Sequence, residues 1–323
     1  MKAYICRRYG GPDTFELVES AKPQPKDSEL LIRIHATSVT SGDRRVRSLE
    51  VPAGLGFVAR LAMGLWGPRQ PILGTELSGI VEAVGCAVTR FSPGDEVFAF
   101  PGGKMGCYAE YRCIAEDGPV LHKPALLSFP EAASLCFGGF TALDFLRKTN
   151  VSAGQNILII GASGGVGTAL LQLATHLGAS VTTVTSVANL DLVRSLGARR
   201  ALNYNADDFT SDGVLYDVIF DVVGASSYTN CKAALAKTGQ YVAIAGGLRE
   251  MLATLWAPVT SGKRTVAGPA EERVEYITQL ARLVAAGDLK PVIDRIYPFH
   301  QLAEAHAYVD SGRKKGSVAL VWE

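Results

Sequence analysis

The run Asn156-Ile157-Leu158-Ile159-Ile160 ends in Gly161-Ala162-Ser163-Gly164-Gly165-Val166-Gly167. No other stretch of the chain limits its fold as tightly. A continuous apolar run reads as a strand buried on both faces, which is the habit of a parallel sheet. From Gly164 to Leu177 the apolar spacing turns helical. Glycine lets the chain turn tightly between the two elements and brings backbone N–H groups close to a ligand. A helix N-terminus at that point suits a bound pyrophosphate.

The alternation continues. Ser180–Val184, Ala201–Asn203, Tyr216–Val223 and Gln240–Ala245 read as further strands, with a short helix at Leu190–Leu196 and a longer one at Glu271–Ala286. Repeated strand–helix–strand units imply right-handed crossovers and a doubly wound parallel sheet. Residues 1–123 have another rhythm. Short strand-like runs at Leu30–Ile34, Gly79–Val84, Glu96–Phe100 and Tyr108–Cys113 are separated by Gly, Pro and Asp signals. The tail returns to strand-like runs at Val292–Tyr297 and Ser317–Trp322. The expected class is α/β, with a β-rich domain made from both chain ends, 1–123 and 287–323. A nucleotide-binding domain is expected between them, at 124–286.

Composition excludes several classes. The chain has 323 residues, 48% of them apolar and 20% charged, as in ordinary globular proteins rather than disordered or coiled-coil ones. With 32 basic and 31 acidic residues, bulk charge does not call for a polyphosphate partner. Six cysteines without a CxxC pair read as buried thiols in a reducing compartment. The opening MKAYICRRYGGPD carries no apolar signal region, and the apolar stretch Gly54–Gly67 is too short to span a bilayer. A cytoplasmic protein is expected.

The nucleotide is suggested by what is missing. An NAD site places a carboxylate about 20 residues past the glycine turn to bind the ribose 2′-hydroxyl. Here the second strand runs out through Val184-Thr185-Ser186-Val187-Ala188-Asn189, with no carboxylate before Asp191. Small hydroxyl and amide groups leave room for a 2′-phosphate, so NADP(H) is expected. Arg194 and Tyr204 are candidate supports.

A set of segments carries a family resemblance over essentially the whole chain. They include Gly10-Gly11-Pro12, Pro71-Ile72-Leu73-Gly74-Thr75-Glu76, Phe91-Ser92-Pro93-Gly94-Asp95-Glu96-Val97, Tyr108-Ala109-Glu110-Tyr111, Gly139-Phe140-Thr141-Ala142, Leu196-Gly197-Ala198 and Lys315-Gly316-Ser317. With these the chain resembles the zinc-independent quinone oxidoreductase-like branch of the medium-chain dehydrogenase/reductase superfamily. The resemblance implies a GroES-like catalytic domain and a Rossmann nucleotide domain. Zinc members of that superfamily carry their catalytic ligands at positions matching Thr40, Thr75 and Phe137, none of which is a zinc ligand here. Cys136 stands alone, one residue off, and a catalytic zinc needs three protein ligands. No bound metal is expected.

Without a Lewis acid to ionise an alcohol, the resemblance implies metal-free hydride transfer from NADPH to a quinone or an α,β-unsaturated carbonyl. It further implies catalytic-side roles for Thr40, Asp43 and Thr141, with Thr141 and the Gly246-Gly247 turn at the nicotinamide. Ser163, Gly164, Gly165, Val166 and Gly167 would hold the pyrophosphate. Ser186, Asn189 and Tyr204 are candidates for the 2′-phosphate, and Val223 and Gly224 for the adenosine side. Arg313 and Lys315 lie on the returning tail near the cofactor. Thr40 reads equally well as a capping residue, and Asp43 as a structural hydrogen-bond partner. Phe57, Leu61 and Trp66, in the apolar segment 49–71, are candidate walls of a substrate pocket. The five histidines lack metal-ligand spacing. A homodimer through an edge strand near Gln240–Gly247 is expected.

Three alternatives stay open: a non-catalytic NADPH-binding or sensing protein, a nucleic-acid-associated protein using Arg44-Arg45-x-Arg47 and Arg313-Lys314-Lys315, and a polyketide-type enoyl reductase. The basic patches are short and lack interleaved aromatics, so nucleic acid is an unfavoured partner.

Overall fold

In a computed structural model, the strand before the glycine turn is buried from Ile157 to Ile160, with only its first residue, Asn156, exposed. The structure describes residues 1–51, 56–247, 250, 251, 254 and 262–322. Its strands are β1 (Lys2–Cys6), β2 (Phe15–Glu19), β3 (Glu29–Ser38), β4 (Leu77–Val84), β5 (Glu96–Ala99), β6 (Tyr111–Ala115), β7 (Val120–His122), β8 (Asn156–Ile160), β9 (Ser180–Thr185), β10 (Arg200–Asn203), β11 (Tyr216–Asp221), β12 (Leu235–Ala243), β13 (Arg264–Ala267), β14 (Ile293–Pro298) and β15 (Ser317–Val321). The helices are α1 (Ser41–Ser48), α2 (Gly56–Met63), α3 (Phe129–Ala133), α4 (Cys136–Thr149), α5 (Gly165–His176), α6 (Leu190–Ser195), α7 (Tyr228–Cys231), α8 (Glu275–Ala286) and α9 (Leu302–Asp310).

The chain divides into two compact units. One holds the described residues of 1–51, 56–137 and 272–322; the other holds those of 138–271. Residues 124–137 and 272–286 therefore group with the chain ends, whereas the sequence reading put them in the nucleotide domain. The Ser128 hydroxyl caps α3 in a capping box with Glu131, and α3 packs on β3, β4, β5 and β15.

In the first unit β3 is the hub. It pairs antiparallel with β4 along most of its length, with β6 through Glu29–Arg33 and with β15 through Ala36–Ser38. Leu30, Ile32 and Ile34 alternate inward and meet Leu77, Val81 and Val97 in one core. Each such side chain contributes about 2 kcal/mol on burial. A second core joins Tyr108 to Phe299, Leu302, Val318 and Leu320. The small β1–β2 sheet was not legible in the sequence.

The second unit is the doubly wound sheet. Its order is β10-β9-β8-β11-β12-β13, and every pairing is parallel. The chain reverses its direction of travel across the sheet between β8 and β11. Ligands of open α/β sheets bind outside the carboxyl ends of the strands at such a switch point. One expectation is corrected here. The strand at Gln240–Ala243 is not an edge, because β13, which the sequence reading missed, pairs along its outer side. An edge-to-edge dimer through this end of the sheet would use β13.

Candidate nucleotide cradle and polar cluster

The carboxyl ends of β8 and β11 approach so closely that only glycine fits at position 161. Gly161 has φ +84°, and a Cβ there would stand 2.6 Å from a Val223 methyl. Gly167 lets α5 settle on the strand end, since a Cβ there would lie 2.3 Å from the Gly161 carbonyl oxygen. Gly164 is different. It is extended, it caps α5 without a side-chain hydrogen bond, and a Cβ there would meet only the Gly161 oxygen, at 3.9 Å. The protein itself does not need a glycine at that point, but a pyrophosphate against the uncapped helix start does.

The 2′-phosphate candidates gather at the end of β9. Ser163 Oγ accepts hydrogen bonds from Thr185 Oγ1 and Asn189 Nδ2, each at 3.0 Å. The Tyr204 backbone N–H donates to Thr185 O at 3.2 Å, and its ring is exposed. Asn189 Oδ1 is buried without a partner, so a donor such as a ribose hydroxyl would complete it. Asp191 points to solvent and pairs with Arg194 at 3.0 Å. No carboxylate enters the position that an NAD site requires. The residues present therefore fit a dinucleotide carrying a 2′-phosphate.

The sequence reading took in Asp221 as part of the strand Tyr216–Val223 and missed its job. Its buried Oδ1 accepts the N–H groups of Val223, Gly224 and Ala225 at 3.2, 2.8 and 3.2 Å. Oδ2 accepts from Ser226 N–H at 2.8 Å and from the Tyr241 hydroxyl at 3.1 Å. One carboxylate thus shapes the whole turn that carries Val223 and Gly224. Burial and the Asp221 charge push the Tyr241 phenol far above its usual range, so it stays a donor. A buried polar residue closing a strand was the available signal. On α4, a Cβ at Gly138 would lie 2.6 Å from Gly165 O. The helix thus passes the start of α5 closely, and Thr141 sits on that face one turn later. Gly247 N–H donates to Glu250 Oε2 at 2.9 Å, a support the sequence reading did not include.

In the first unit Thr40 caps α1. Its hydroxyl accepts from Asp43 N–H at 3.1 Å and donates to Asp43 Oδ2 at 2.6 Å. Thr75 Oγ1 lies 3.3 Å from Thr40 Oγ1 and 3.5 Å from Asp43 Oδ2. Burial pushes Asp43 up to about 6, against the hydrogen bonds from Thr40. Beside it, Glu76 accepts from the Ser38 hydroxyl and, at 2.7 Å, from Phe137 N–H. Burial drives Glu76 up to about 8. Arg313 and Lys315 are exposed. The residue between them, Lys314, is half-buried; it donates to Gly316 O at 2.7 Å, and desolvation lowers it to about 8 against the pull of Glu76 and Asp294. Arg47 is 2% exposed and doubly bonded to Asp310, which Arg44 also contacts. That part of the suggested nucleic-acid patch is committed to holding α1 against α9. Phe57, Leu61 and Trp66 are 74%, 49% and 87% exposed.

Comparisons with known proteins now bear on the fold and the two clusters. Residues 26–125 match the family described as alcohol dehydrogenase GroES-like domain, and residues 196–320 match zinc-binding dehydrogenase. The chain is 30% identical over 332 residues to the chloroplastic NADPH-dependent alkenal/one oxidoreductase of Arabidopsis thaliana. That alignment covers 99% of this chain and 79% of the relative. It is 32% identical to the 2-methylene-furan-3-one reductase of Solanum lycopersicum, with the same coverage. A quinone oxidoreductase structure from Coxiella burnetii superposes with a TM-score of 0.86 at 29% identity, over 100% of this chain and 99% of that one.

The chain belongs to the medium-chain dehydrogenase/reductase superfamily. The positions where the sequence resemblance places zinc ligands carry Thr40, Thr75 and Phe137 instead. Thr40, Thr75 and Phe137 offer two neutral hydroxyls and a hydrocarbon ring. The buried Cys136 thiol is pushed well above its usual range by desolvation, then by Glu76. Among the described residues no group of three or more His, Cys, Asp or Glu side chains is placed to hold a metal ion. This donor set does not fit a catalytic zinc. The relatives do not fix a compartment, since the Arabidopsis one is chloroplastic. No described helix is long and apolar enough to cross a membrane.

Proposed function

We propose that this protein is an NADPH-dependent reductase of quinones or α,β-unsaturated carbonyl compounds that works without a metal. The observation that carries the reading is the pairing of an intact dinucleotide cradle with hydroxyl residues at Thr40 and Thr75, where zinc members keep ligands. The names of the relatives, an alkenal/one oxidoreductase and a quinone oxidoreductase, agree with it. Bound NADPH supplies a hydride, which an activated alkene accepts at its β-carbon and a quinone at its ring system.

The chain's own residues bind, orient and polarise. Ser163 to Gly167 hold the pyrophosphate at the start of α5. Ser186, Asn189 and Tyr204 receive the 2′-phosphate end. Val223 and Gly224, fixed by Asp221, line the adenosine side. Thr141 and the Gly246-Gly247 turn orient the nicotinamide. The Thr40 proton is committed to Asp43, so Thr40 positions that carboxyl. Thr75, whose hydroxyl reaches Asp43 Oδ2 only at 3.5 Å, turns to donate to a substrate oxygen. Water delivers the proton that completes the saturated carbonyl or the hydroquinone.

The test is isotopic. Turnover of a 2-alkenal with NADPH deuterated at its transferable position should place deuterium on the β-carbon of a saturated aldehyde. Deuterium on the carbonyl carbon of an allylic alcohol would refute the reading.

A further inference from the structure

Helix α2 breaks the rule that a surface helix turns polar residues outward. Its inner face is Ala59, which is buried, and Met63, which is half-buried. Its outer face carries Phe57, Val58 and Leu61, and the turn that follows adds Leu65 and Trp66. Val58 and Leu65 are 59% and 54% exposed, so five exposed apolar side chains fall within ten residues. Single exposed apolar residues are ordinary, but a contiguous group marks an interaction site.

The surface is built, not frayed. Tyr9 Oη donates to Gly64 O at 2.7 Å, Arg60 Nη1 to Leu65 O at 2.7 Å, and Arg69 Nη2 to Leu61 O at 2.6 Å. A Cβ at Gly67 would stand 2.0 Å from Arg7 O, so the turn is seated on the strand end of β1. These bonds hold the backbone in place while the apolar side chains point outward.

The charge pattern selects the partner. Between Val51 and Thr75 the chain has two arginines, Arg60 and Arg69, and no carboxylate. Both arginines are exposed, whereas the neighbouring Arg7 and Arg8 are each offset by a carboxylate, Glu16 at 3.8 Å and Asp13 at 3.7 Å, so the local cationic excess is Arg60 and Arg69. The whole chain is nearly neutral at +1, so this excess belongs to the segment. An exposed apolar segment with Trp, Phe and arginine matches the interface of an anionic bilayer, where the rings lie at headgroup depth and the guanidinium groups meet phosphates.

We propose that α2 and the turn through Trp66 dock the protein on an anionic lipid surface. The docking is an interaction in its own right and is read without turnover; with the proposed function it would place the enzyme where lipophilic quinones dissolve.

The test is flotation of the full-length protein with phosphatidylcholine vesicles, with and without phosphatidylglycerol. The protein should float with the anionic vesicles, and high salt should weaken the association. The double variant Val58→Ser, Leu65→Ser should lower the bound fraction at least about tenfold while NADPH binding and far-ultraviolet circular dichroism stay at wild-type values. Arg69→Gln should weaken binding to anionic vesicles more than to neutral ones. Absence of binding to either vesicle overturns the proposal. So does equal binding by the double variant, or a concentration-dependent dimer that the double variant abolishes while vesicles are ignored, which would assign the surface to a second copy of the chain.

Discussion

The Asn189 side-chain amide donates to the Ser163 hydroxyl across 3.0 Å, tying the end of β9 to the glycine turn. Because Thr185 bonds the same hydroxyl, the glycine turn and the end of β9 form one hydrogen-bonded piece. In the proposed function, cofactor choice depends on which side chains follow Thr185.

Ser186→Asp adds a carboxylate where the 2′-phosphate would lie. Charge repulsion should lower kcat/KM for NADPH by at least about tenfold, or about 1.4 kcal/mol, while NADH is used as well or better. Steady-state kinetics with both cofactors measures this. Equal losses with NADH and NADPH would mean that the residue does not face the ribose.

Gly164→Ala and Gly167→Ala separate ligand space from packing space. The first places a methyl in the open region at the helix start, so Tm should hold while KM for NADPH rises about tenfold. The second forces a Cβ to 2.3 Å from a backbone oxygen and should cost about 2 kcal/mol of stability. Thermal melts beside NADPH titrations distinguish the two.

Asp221→Ala strips the partner from four consecutive N–H groups and from the Tyr241 hydroxyl. The turn is partly open to water, which replaces some of those bonds. A loss of about 1–3 kcal/mol is expected, with a raised KM for NADPH as Val223 and Gly224 lose their place. Urea unfolding and cofactor titration report the two effects separately.

Buried Glu76 and Asp43 set the acid-side pH dependence. Their folded values, about 8 and about 6, lie above the ordinary 4.5 and 3.8. The folded state therefore holds more protons than the unfolded one, and stability falls as pH rises through those windows. Lys314 acts in the opposite sense at higher pH, because its folded value of about 8 lies below its usual 10.5. Between about pH 5 and 8 the wild type should lose stability on the order of a few kcal/mol. Glu76→Gln, which keeps an acceptor for Phe137 N–H and can donate to Ser38, should flatten that slope. Denaturant midpoints across the range measure it, and a parallel slope in the variant would contradict the assignment.

The glycine turn, β8 and the crossover sheet were legible because their signals are local: a continuous apolar run, a turn and a helical period. The missing carboxylate after Thr185 was equally local. Bonds between distant residues were not legible. Arg47 looked like part of a surface basic patch, yet it is sealed against Asp310, 263 residues away. Asp221 stood in view at a strand end, but its role depends on the chain returning over its own carboxylate. β13 spans only Arg264–Ala267, too short a run to show a period, and without it β12 looked like an edge. The exposure of Phe57, Leu61 and Trp66 could not be read either, since apolar residues at helical spacing ordinarily mean core.

The central claim is metal-free hydride transfer from NADPH to an activated acceptor. It is tested most directly by following the nicotinamide absorbance with a 1,4-quinone, a 2-alkenal, a vinyl ketone and a simple aldehyde, with EDTA present throughout. The account predicts NADPH oxidation with the quinone or the enones, unchanged by EDTA, and none with the simple aldehyde. Turnover of the aldehyde alone, abolished by EDTA and restored by zinc, would contradict it.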